Sequence, residues 1–323
     1  MKAAVLNKLG TSPVYQDVED PVPKNEEQIL IKVKAASIKN IDKLRAGGKH
    51  YASYKELPAI VGIDGVGILE NGKRVYAQGL TGMLAERALI SRNRFSVLPD
   101  KIDDIVAAAL PNAILGTSMA LLFRAKMQKG HSVLINGATG VTGRLAVQVA
   151  KYYSADKIIV TGRNAESLQK LAQLGADKII SLRQDDETFV NALKEINKTN
   201  PIDIVIDYLW GHSIELIIKS LRGSGINSFT RPVKIVTVGD MAGENINLSS
   251  DTLRSSAIEI SGSGFGSLSQ DDLKKFDTEI LPEMFQLAAD GKLIIETHVD
   301  SLENIETAWN QHIGGGKRLV IRI

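Results

Sequence analysis

A glycine-rich segment in the middle of the chain has the spacing of a dinucleotide-binding turn. Within Val133–Lys151, VLINGATGVTGRLAVQVAK, the residues Ala138, Gly140 and Gly143 form A-x-G-x-x-G, a variant with alanine at the first position. Such a site needs a tight turn directly after a strand, a close backbone approach to the pyrophosphate and a helix N-terminus facing its charge. Here an apolar strand precedes the turn, a helical segment follows it, and further β–α alternations come after. The segment therefore predicts a dinucleotide site.

The residues at the ends of later strands indicate which dinucleotide is bound. An NAD site places Asp or Glu after the second strand, but here the sequence is VTGRN, with Arg163 in that place. A guanidinium pairs bidentately with phosphate, so the segment predicts NADP (NADPH), with a simple surface cation as the alternative for Arg163. Gly239 is expected to let the nicotinamide lie close to the sheet. Gly262 and Gly264 are candidates for the same role, with a simple turn as the alternative. The predicted cofactor-binding residues are Thr139, Gly140, Val141, Thr142, Gly143, Gly162, Arg163, Asn164, Gly239 and Gly264.

The composition excludes several classes of protein. Of the 323 residues, 44% are hydrophobic and 24% are charged, and the formal charge of +2 gives no reason to expect nucleic acid or an anionic membrane as a partner. No segment has the pattern of a signal peptide or the length of a membrane span, so a cytoplasmic protein is expected. There is no cysteine, and the five histidines lie far apart. Disulfides, thiolate nucleophiles and Cys-containing zinc sites are therefore excluded, and no metal site is predicted.

The chain is organised as a β-rich first part followed by a regular alternation of strands and helices. Short segments rich in Val and Ile occupy the first hundred residues, and an Ala- and Leu-rich helical stretch interrupted by Pro111 follows. From His131 onward, near-continuous apolar strands alternate with helices, which predicts a parallel sheet covered on both faces and an α/β fold. The closing segment KRLVIRI is expected to supply a strand to the first part.

Several segments besides the glycine turn match the pattern of one family. INGATGVTGRLAVQVAK is similar to G-A-x-G-G-V-G-x-x-A-V-Q-L-A-K, LPAIVGIDGVG to P-x-x-x-G-x-D-x-x-G, and GMLAERALI to G-x-x-A-E-x-x-x-V. The segments LQKLAQLGAD and GGGKRLVIRI also fit. Over essentially its full length, the chain resembles the zinc-independent medium-chain dehydrogenase/reductases of the quinone oxidoreductase (NADPH:quinone reductase) type.

The resemblance implies a GroES-like β-rich catalytic domain and a Rossmann doubly wound domain that binds NADP, with an active-site cleft between them. We expect the first domain at 1–115, completed by about 268–323, and the second at 116–267. Family members commonly form homodimers through edge strands of their Rossmann sheets, and AIEISGSGFG is the candidate edge here.

The resemblance also indicates a reaction without zinc. Zinc-dependent relatives have a catalytic Cys and a Gly-His-Glu segment, whereas Ile63 and Asp64 follow Gly62 in this chain. Without a Lewis acid, the natural reaction is hydride delivery to an acceptor that delocalises charge, such as a quinone or an α,β-unsaturated carbonyl. An NADPH-dependent aldehyde or acyl-chain double-bond reductase and a non-catalytic NADPH-binding redox sensor remain as alternatives, because a fold does not determine a function.

The catalytic candidates are Tyr51 first, then Lys39, with Tyr54 third. A tyrosine hydroxyl can donate a proton while its ring packs against a flat substrate. When the chain is aligned with the family on Asp42, Lys39 stands where an active-site Asn is usual, and its side chain could contact either the substrate or water. Water could also protonate a reduced quinone without a dedicated acid.

Other departures from the family pattern leave the substrate open. The family's G-L-T-A-W segment reads Ile114–Ser118 here, so a threonine that commonly lies near the nicotinamide is replaced. Ser167 replaces a lysine that often helps to hold the 2′-phosphate, which leaves Arg163 with more of that task. Leu182 replaces a tyrosine on the adenine side.

Overall fold

The computed structural model describes residues 1–223 and 230–323. These residues form two compact units, of which the first comprises Met1–Asn112 and Asp277–Ile323 and the second Ala113–Phe276. The domain limits expected from the sequence, at 115/116 and 267/268, stay a prediction.

The strands are numbered in chain order. They are β1 (Lys2–Leu6), β2 (Val14–Asp17), β3 (Gln28–Ile38), β4 (Ala59–Ile60), β5 (Asp64–Ile68), β6 (Arg74–Gly79), β7 (Arg87–Val97), β8 (Ser132–Asn136), β9 (Lys157–Gly162), β10 (Lys178–Ser181), β11 (Ile204–Asp207), β12 (Val233–Thr237), β13 (Ile258–Gly262), β14 (Thr297–Ser301) and β15 (Arg318–Arg322).

The α-helices are numbered in the same way. They are α1 (Asn40–Ala46), α2 (Asp104–Ala109), α3 (Pro111–Ser118), α4 (Val141–Tyr152), α5 (Ala165–Leu174), α6 (Asp186–Thr199), α7 (Gly211–Leu221), α8 (Ser250–Arg254), α9 (Gln270–Lys275), α10 (Leu281–Ala289) and α11 (Ile305–Asn310). Among the described residues, no helix has both the length and the apolar character that crossing a bilayer requires.

The second unit is built on a parallel sheet with the order β10-β9-β8-β11-β12-β13. All five residues of β8 and all four of β11 are buried. Successive side chains of a strand point to opposite faces, so both faces of the sheet are covered. Helix α4 packs on β8, β9 and α5, while α6 packs on α7 and β10. The predicted Rossmann-type α/β fold is confirmed.

The first unit is β-rich, as predicted, and contains two sheets. One has the order β14-β15-β3-β5-β6-β7, and because β7 also pairs with β3, the strands β3, β5, β6 and β7 form a closed ring of pairings. The strand β15 near the C-terminus pairs antiparallel with β3. The smaller sheet has the order β2-β1-β4. The 11-residue strand β7 was missed in the sequence because its centre, Ser91–Arg94, carries polar side chains, most of them exposed.

Proline sets the break that was expected in the Ala- and Leu-rich stretch. The side chain of Asp103 caps α2 by accepting hydrogen bonds from the amides of Ile105 and Val106. Helix α2 ends at Ala109, and α3 begins at Pro111, because proline fits the first turn of a helix, where its missing N–H has no partner to lose.

Candidate functional site

Three glycines shape the turn between β8 and α4, each for a different physical reason. Gly137 has φ +84°, and a Cβ there would lie 2.7 Å from Cγ of Leu209. Gly143 packs so closely against the turn that a Cβ would lie 2.6 Å from Cα of Ala138. At Gly140, in contrast, a Cβ would have its nearest neighbour 4.0 Å away, so the backbone borders open space. A tight turn, close packing and an open approach are what pyrophosphate binding requires.

The N-terminus of α4 faces this open space without a side-chain cap. Its N-cap residue is Gly140, which supplies no capping hydrogen bond, and no acidic residue occupies the first turn. A helix N-terminus carries partial positive charge on its unsatisfied N–H groups, so Val141 and Thr142 suit an anion. The carbonyl of Thr142 accepts a 3.2 Å hydrogen bond from the buried hydroxyl of Thr117, which holds the first turn in place. The residues present therefore fit a dinucleotide pyrophosphate.

A buried hydrogen-bond relay crosses the ends of three adjacent strands below this turn. The Asn136 amide donates to Asp207 Oδ1 at 2.8 Å and to the Ser213 hydroxyl at 2.9 Å. The Thr161 hydroxyl donates to Asn136 Oδ1 at 2.5 Å and accepts from the amide of Gly137 at 3.2 Å. Asn136, Thr161 and Asp207 are all fully buried. Buried polar groups are costly unless paired, so this relay fixes the position of the glycine turn.

Asp207 also fixes the turn that follows β11. Its carboxylate accepts from the amides of Leu209, at 3.0 Å, and Trp210, at 3.1 Å. Trp210 has φ +57°, an unfavourable conformation for a residue with a side chain, and these hydrogen bonds help to hold it. Burial raises the pKa of Asp207, while the hydrogen bonds from Leu209, Asn136 and Trp210 oppose that shift.

A pocket of about 250 Å³ lies at the carboxyl edge of the sheet beside the glycine turn. Leu209 belongs to its wall and also contacts Gly137. Arg163 lines it, and its guanidinium makes no hydrogen bond or ion pair with another described residue. A contact of Arg163 with a 2′-phosphate stays a prediction. The pocket is lined by Arg163, Leu182, Gln184, Asp186, Phe189, Leu209, His212, Ser213, Leu216 and Ala242.

Two ionisable residues of this pocket were missed in the sequence. Asp186 begins α6 and His212 lies in the first turn of α7, and His212 Nε2 is 2.9 Å from Asp186 Oδ1. No motif marks either residue, since 26 positions separate them in the chain and only the packing of α6 on α7 brings them together. The pocket therefore contains an acid, although none follows the second strand.

The residues predicted near Arg163 lie at the end of β9 and the start of α5. Gly162 ends β9, and a Cβ there would lie 2.6 Å from Cγ2 of Thr139, so these two predicted residues are in contact. Asn164 is the N-cap of α5, and its side-chain oxygen accepts a 2.8 Å hydrogen bond from the amide of Ser167. The structure thus gives Asn164 a capping role.

The two later glycines differ in their surroundings. A Cβ at Gly239 would lie 2.9 Å from the carbonyl oxygen of Tyr208, so close packing of two backbone segments explains this glycine. Gly264 has no atom within 4 Å of the corresponding position and is exposed. A nicotinamide contact at either glycine stays a prediction.

Lys39 lies in a buried ionic cluster of the first unit. Its ammonium contacts Asp64 Oδ1 at 2.7 Å, the Ser37 carbonyl at 2.9 Å and Asp42 Oδ2 at 3.3 Å, and its side chain is 1% exposed. Arg318 is buried nearby and interacts with both carboxylates, so two cations balance two anions. Burial opposes the charge of Lys39, but the carboxylates and the Asp64 hydrogen bond outweigh it and raise the pKa of the ammonium.

Asp42 and Asp64 have further partners within this cluster. Asp42 accepts hydrogen bonds from the amides of Lys39, at 2.9 Å, and Ile63, at 3.2 Å. Burial raises the pKa of Asp42 above its ordinary value, and the nearby Lys39 acts in the opposite direction. The pKa of the Tyr76 hydroxyl is raised by burial and by the nearby carboxylate of Asp64. Both acids therefore hold the fold together, as an ordinary structural role would require.

The tyrosine candidates lie in the segment between α1 and β4. Tyr51 is 82% exposed, and its ring centroid is 4.2 Å from that of His50. Tyr54 is partly buried and stacks under the guanidinium of Arg45, 4.7 Å from its ring centroid; burial raises the pKa of Tyr54 to about 12. Arg45 also donates to the carbonyl of Ala52 at 2.8 Å and so anchors the segment. A catalytic role for Tyr51 or Lys39 stays a prediction.

Within 1–223 and 230–323, no group of three or more His, Cys, Asp or Glu side chains is arranged to hold a metal ion.

Comparison with known proteins agrees with this geometry. Residues 141–281 match the family model described as zinc-binding dehydrogenase. The chain is 29% identical to the probable NADPH-dependent quinone reductase tdiC of Emericella nidulans, with 96% of each covered. It is 34% identical to the chloroplastic NADPH-dependent alkenal/one oxidoreductase of Arabidopsis thaliana, over 58% of this chain and 53% of that protein.

The fold is also similar to that of solved structures. The quinone oxidoreductase from Thermus thermophilus, also solved in complex with NADPH, superimposes with a TM-score of 0.79 at 24% identity and full coverage of both chains. These matches confirm the resemblance to quinone oxidoreductases that the sequence motifs carried, while independence of zinc stays a prediction. The chain is an oxidoreductase with an alcohol dehydrogenase-like fold.

Replacing Lys39 with Met tests whether its ammonium is the counter-ion of the buried acids. The variant leaves Arg318 alone to balance two buried carboxylates, and we expect it to lower the free energy of unfolding by about 3–5 kcal/mol at pH 8. Without the ammonium, burial raises the pKa of Asp42 further, so the folded state binds this proton more tightly than the unfolded chain, and stability falls as pH rises through that pKa. The deficit should therefore be smaller at pH 5, as measured by urea unfolding.

The control for this variant is Lys49→Met, at an exposed lysine of the same unit. A surface substitution of this kind changes stability by about 0.5 kcal/mol or less. Equal stabilities of the two variants at both pH values would show that the acids do not depend on Lys39.

Proposed function

We propose that this protein reduces quinones or α,β-unsaturated carbonyls with NADPH and without zinc. The observation that carries the proposal is the pocket at the carboxyl edge of the sheet, where the guanidinium of Arg163, unpaired among the described residues, lies beside a glycine turn that borders open space. When bound, NADPH supplies the hydride. The chain's own task is to hold and orient the dinucleotide.

The parts of the second unit divide this binding between them. The first turn of α4 binds the pyrophosphate, and Arg163 pairs with the 2′-phosphate through parallel N–H bonds. The apolar wall formed by Leu182, Phe189 and Leu209 accepts the flat adenine ring. The names of the relatives, an NADPH-dependent quinone reductase and an NADPH-dependent alkenal/one oxidoreductase, support the same cofactor and acceptors.

A reaction without zinc is supported by the residues of the first unit. The chain has no cysteine, and Ile63 and Asp64 stand after Gly62 where zinc-dependent relatives have His and Glu. Asp64 is paired with Lys39. An acceptor that delocalises negative charge needs no Lewis acid, which suits quinones and enones. The exposed hydroxyl of Tyr51 is our candidate for proton donation to an enone carbon. The buried contacts of Lys39 favour a structural role for that residue.

Two further expectations accompany this proposal. Strand β13 lies at the edge of the parallel sheet, where an unpaired ladder can be covered by a second copy of the chain, and this supports a homodimer. A cytoplasmic location is expected from the sequence.

The first test is cofactor oxidation, followed by the absorbance of NADPH against a panel of quinones, small enones and aldehydes, with NADH alongside. We expect turnover with NADPH in strong preference to NADH, because Arg163 binds the 2′-phosphate that NADH lacks. Tight NADPH binding without turnover on any acceptor would contradict the proposed reaction and favour a redox sensor. Turnover on aldehydes alone would favour the aldehyde reductase.

Replacing Arg163 with Ala tests the cofactor assignment. The loss of a charged hydrogen-bond pair of about 1.5–3 kcal/mol should lower kcat/KM for NADPH by about tenfold to a hundredfold and leave the value for NADH unchanged. The matched control is Arg183→Ala, a neighbouring cation outside the pocket lining. If both cofactors lose efficiency alike, Arg163 does not read the 2′-phosphate.

Replacing Tyr51 with Phe tests the proton donor. The variant should lower kcat for enones by about a hundredfold, since general acids contribute rate factors of that order, and leave quinone reduction unchanged. Tyr54→Phe, in the same segment, is the comparison. Equal enone rates for wild type and the Tyr51 variant would exclude the tyrosine as the acid.

A further inference from the structure

Two opposite charges line the same small pocket at the carboxyl edge of the parallel sheet. Arg163 follows β9 and Asp186 begins α6, and both belong to the pocket of about 250 Å³. The guanidinium of Arg163 has no hydrogen-bond or ionic partner among the described residues, whereas the carboxylate of Asp186 contacts His212. A phosphate entering this pocket would meet an attractive charge and a repulsive one.

The imidazole of His212 holds the Asp186 carboxylate. His212 Nε2 lies 2.9 Å from Oδ1 and 3.0 Å from Oδ2 of Asp186, so the N–H is shared between both oxygens. On its other side, His212 Nδ1 lies 3.7 Å from Oε2 of Glu215, whose other oxygen accepts from the amide of Asn247 at 2.6 Å. The histidine therefore bridges α6 and α7 at the pocket, between two carboxylates.

We propose that the Asp186–His212 pair determines how strongly the pocket prefers a phosphate over a hydroxyl at the 2′ position of the adenosine ribose. This inference rests on the proposed function and assigns a second selectivity determinant beside Arg163. Asp186 opposes the phosphate that Arg163 attracts. A protonated His212 cancels that opposition, and a neutral His212 leaves it in force.

The charges of the pocket give the direction of the effect. A phosphate monoester carries a charge of about −1.5 to −2 at neutral pH. With a protonated His212 the three side chains sum to one positive charge, and with a neutral His212 the sum is zero. Asp186 and His212 have exposed fractions of 57% and 64%, so water and salt screen the interaction. We therefore expect changes of about two- to fivefold in affinity, the scale of exposed charge pairs.

The charged groups that act on His212 set its titration. The hydrogen bond with Asp186 raises the pKa of His212, burial opposes this, and the charges of Asp186 and Glu215 add to the rise. Arg163 is the cation of the same pocket. As pH rises through the pKa of His212, the imidazole loses its proton and the preference for the phosphate should fall. The phosphate itself gains negative charge as pH rises through about 6, and this gain acts in the opposite direction on the preference. The second ionisation of the phosphate is complete at higher pH.

The experiment measures dissociation constants of NADPH and NADH by fluorescence titration, without any acceptor, at pH 6.5 and pH 9 in low salt. The ratio of the two constants is the readout, because NADH lacks only the 2′-phosphate. In wild type, the preference for NADPH should fall about two- to fivefold between the two pH values. His212→Gln should show the lower preference already at pH 6.5 and match wild type at pH 9.

The complementary variant is Asp186→Asn. It removes the repulsion, so the preference for NADPH at pH 9 should exceed that of wild type by about two- to fivefold. The double variant should keep a high preference at both pH values. The matched control is Glu187→Gln, at the next residue of the same helix but outside the pocket lining. This variant should show the same NADPH preference as wild type. That result would separate the effect of a charge inside the pocket from the effect of any negative charge on α6.

The outcomes distinguish this inference from the proposed function. If wild type prefers NADPH but the Asp186 and His212 variants leave the ratio within experimental error of wild type at both pH values, the pair has no such role and the cofactor assignment stands. The same conclusion follows if Glu187→Gln changes the ratio as much as Asp186→Asn. If wild type binds neither NADPH nor NADH, the proposed function fails and the inference fails with it.

Discussion

The buried relay from Asp207 through Asn136 to Thr161 is the interaction on which the cofactor site depends. A carboxylate without access to water must find hydrogen-bond donors, and here they come from an amide side chain and from two backbone N–H groups of the next turn. The same relay reaches the amide of Gly137 through the Thr161 hydroxyl. Both turns that flank the open space of the pocket are thus fixed by one set of bonds, and neither can shift without leaving a buried polar group unpaired.

The pocket is lined by residues from several elements of the sheet edge. Arg163 comes from the end of β9, Leu209 from the turn after β11, and Asp186 and His212 from the first turns of two helices. Parallel strands place all their carboxyl ends at one edge, so residues far apart in sequence share one small volume. The net charge of that volume is therefore a property of the fold and cannot be assigned to a single position after the second strand.

Local signals predicted much of this fold, whereas its polar clusters depend on contacts that no local pattern reveals. The strand, glycine turn and helix around Gly140 follow one another directly, so spacing and apolar runs were enough to predict them. The position of Arg163 directly after β9 could also be read from the sequence, whereas its contact with a phosphate stays a prediction. Asp186 and His212 meet only because α6 packs on α7. Lys39 contacts Asp42, three residues away, but also Asp64, 25 residues away, and the contact with Asp64 could not be read from local spacing.

The ammonium of Lys39 has a thermodynamic consequence for the first unit. A diffusible cation between two buried acids would stabilise the fold by an amount that rises with its free concentration. Here the cation is tethered to the backbone, so its local concentration is fixed by the chain. The buried carboxylates of this unit are thus balanced by a side chain of the same chain, and their contribution to folding does not depend on the concentration of cations in solution.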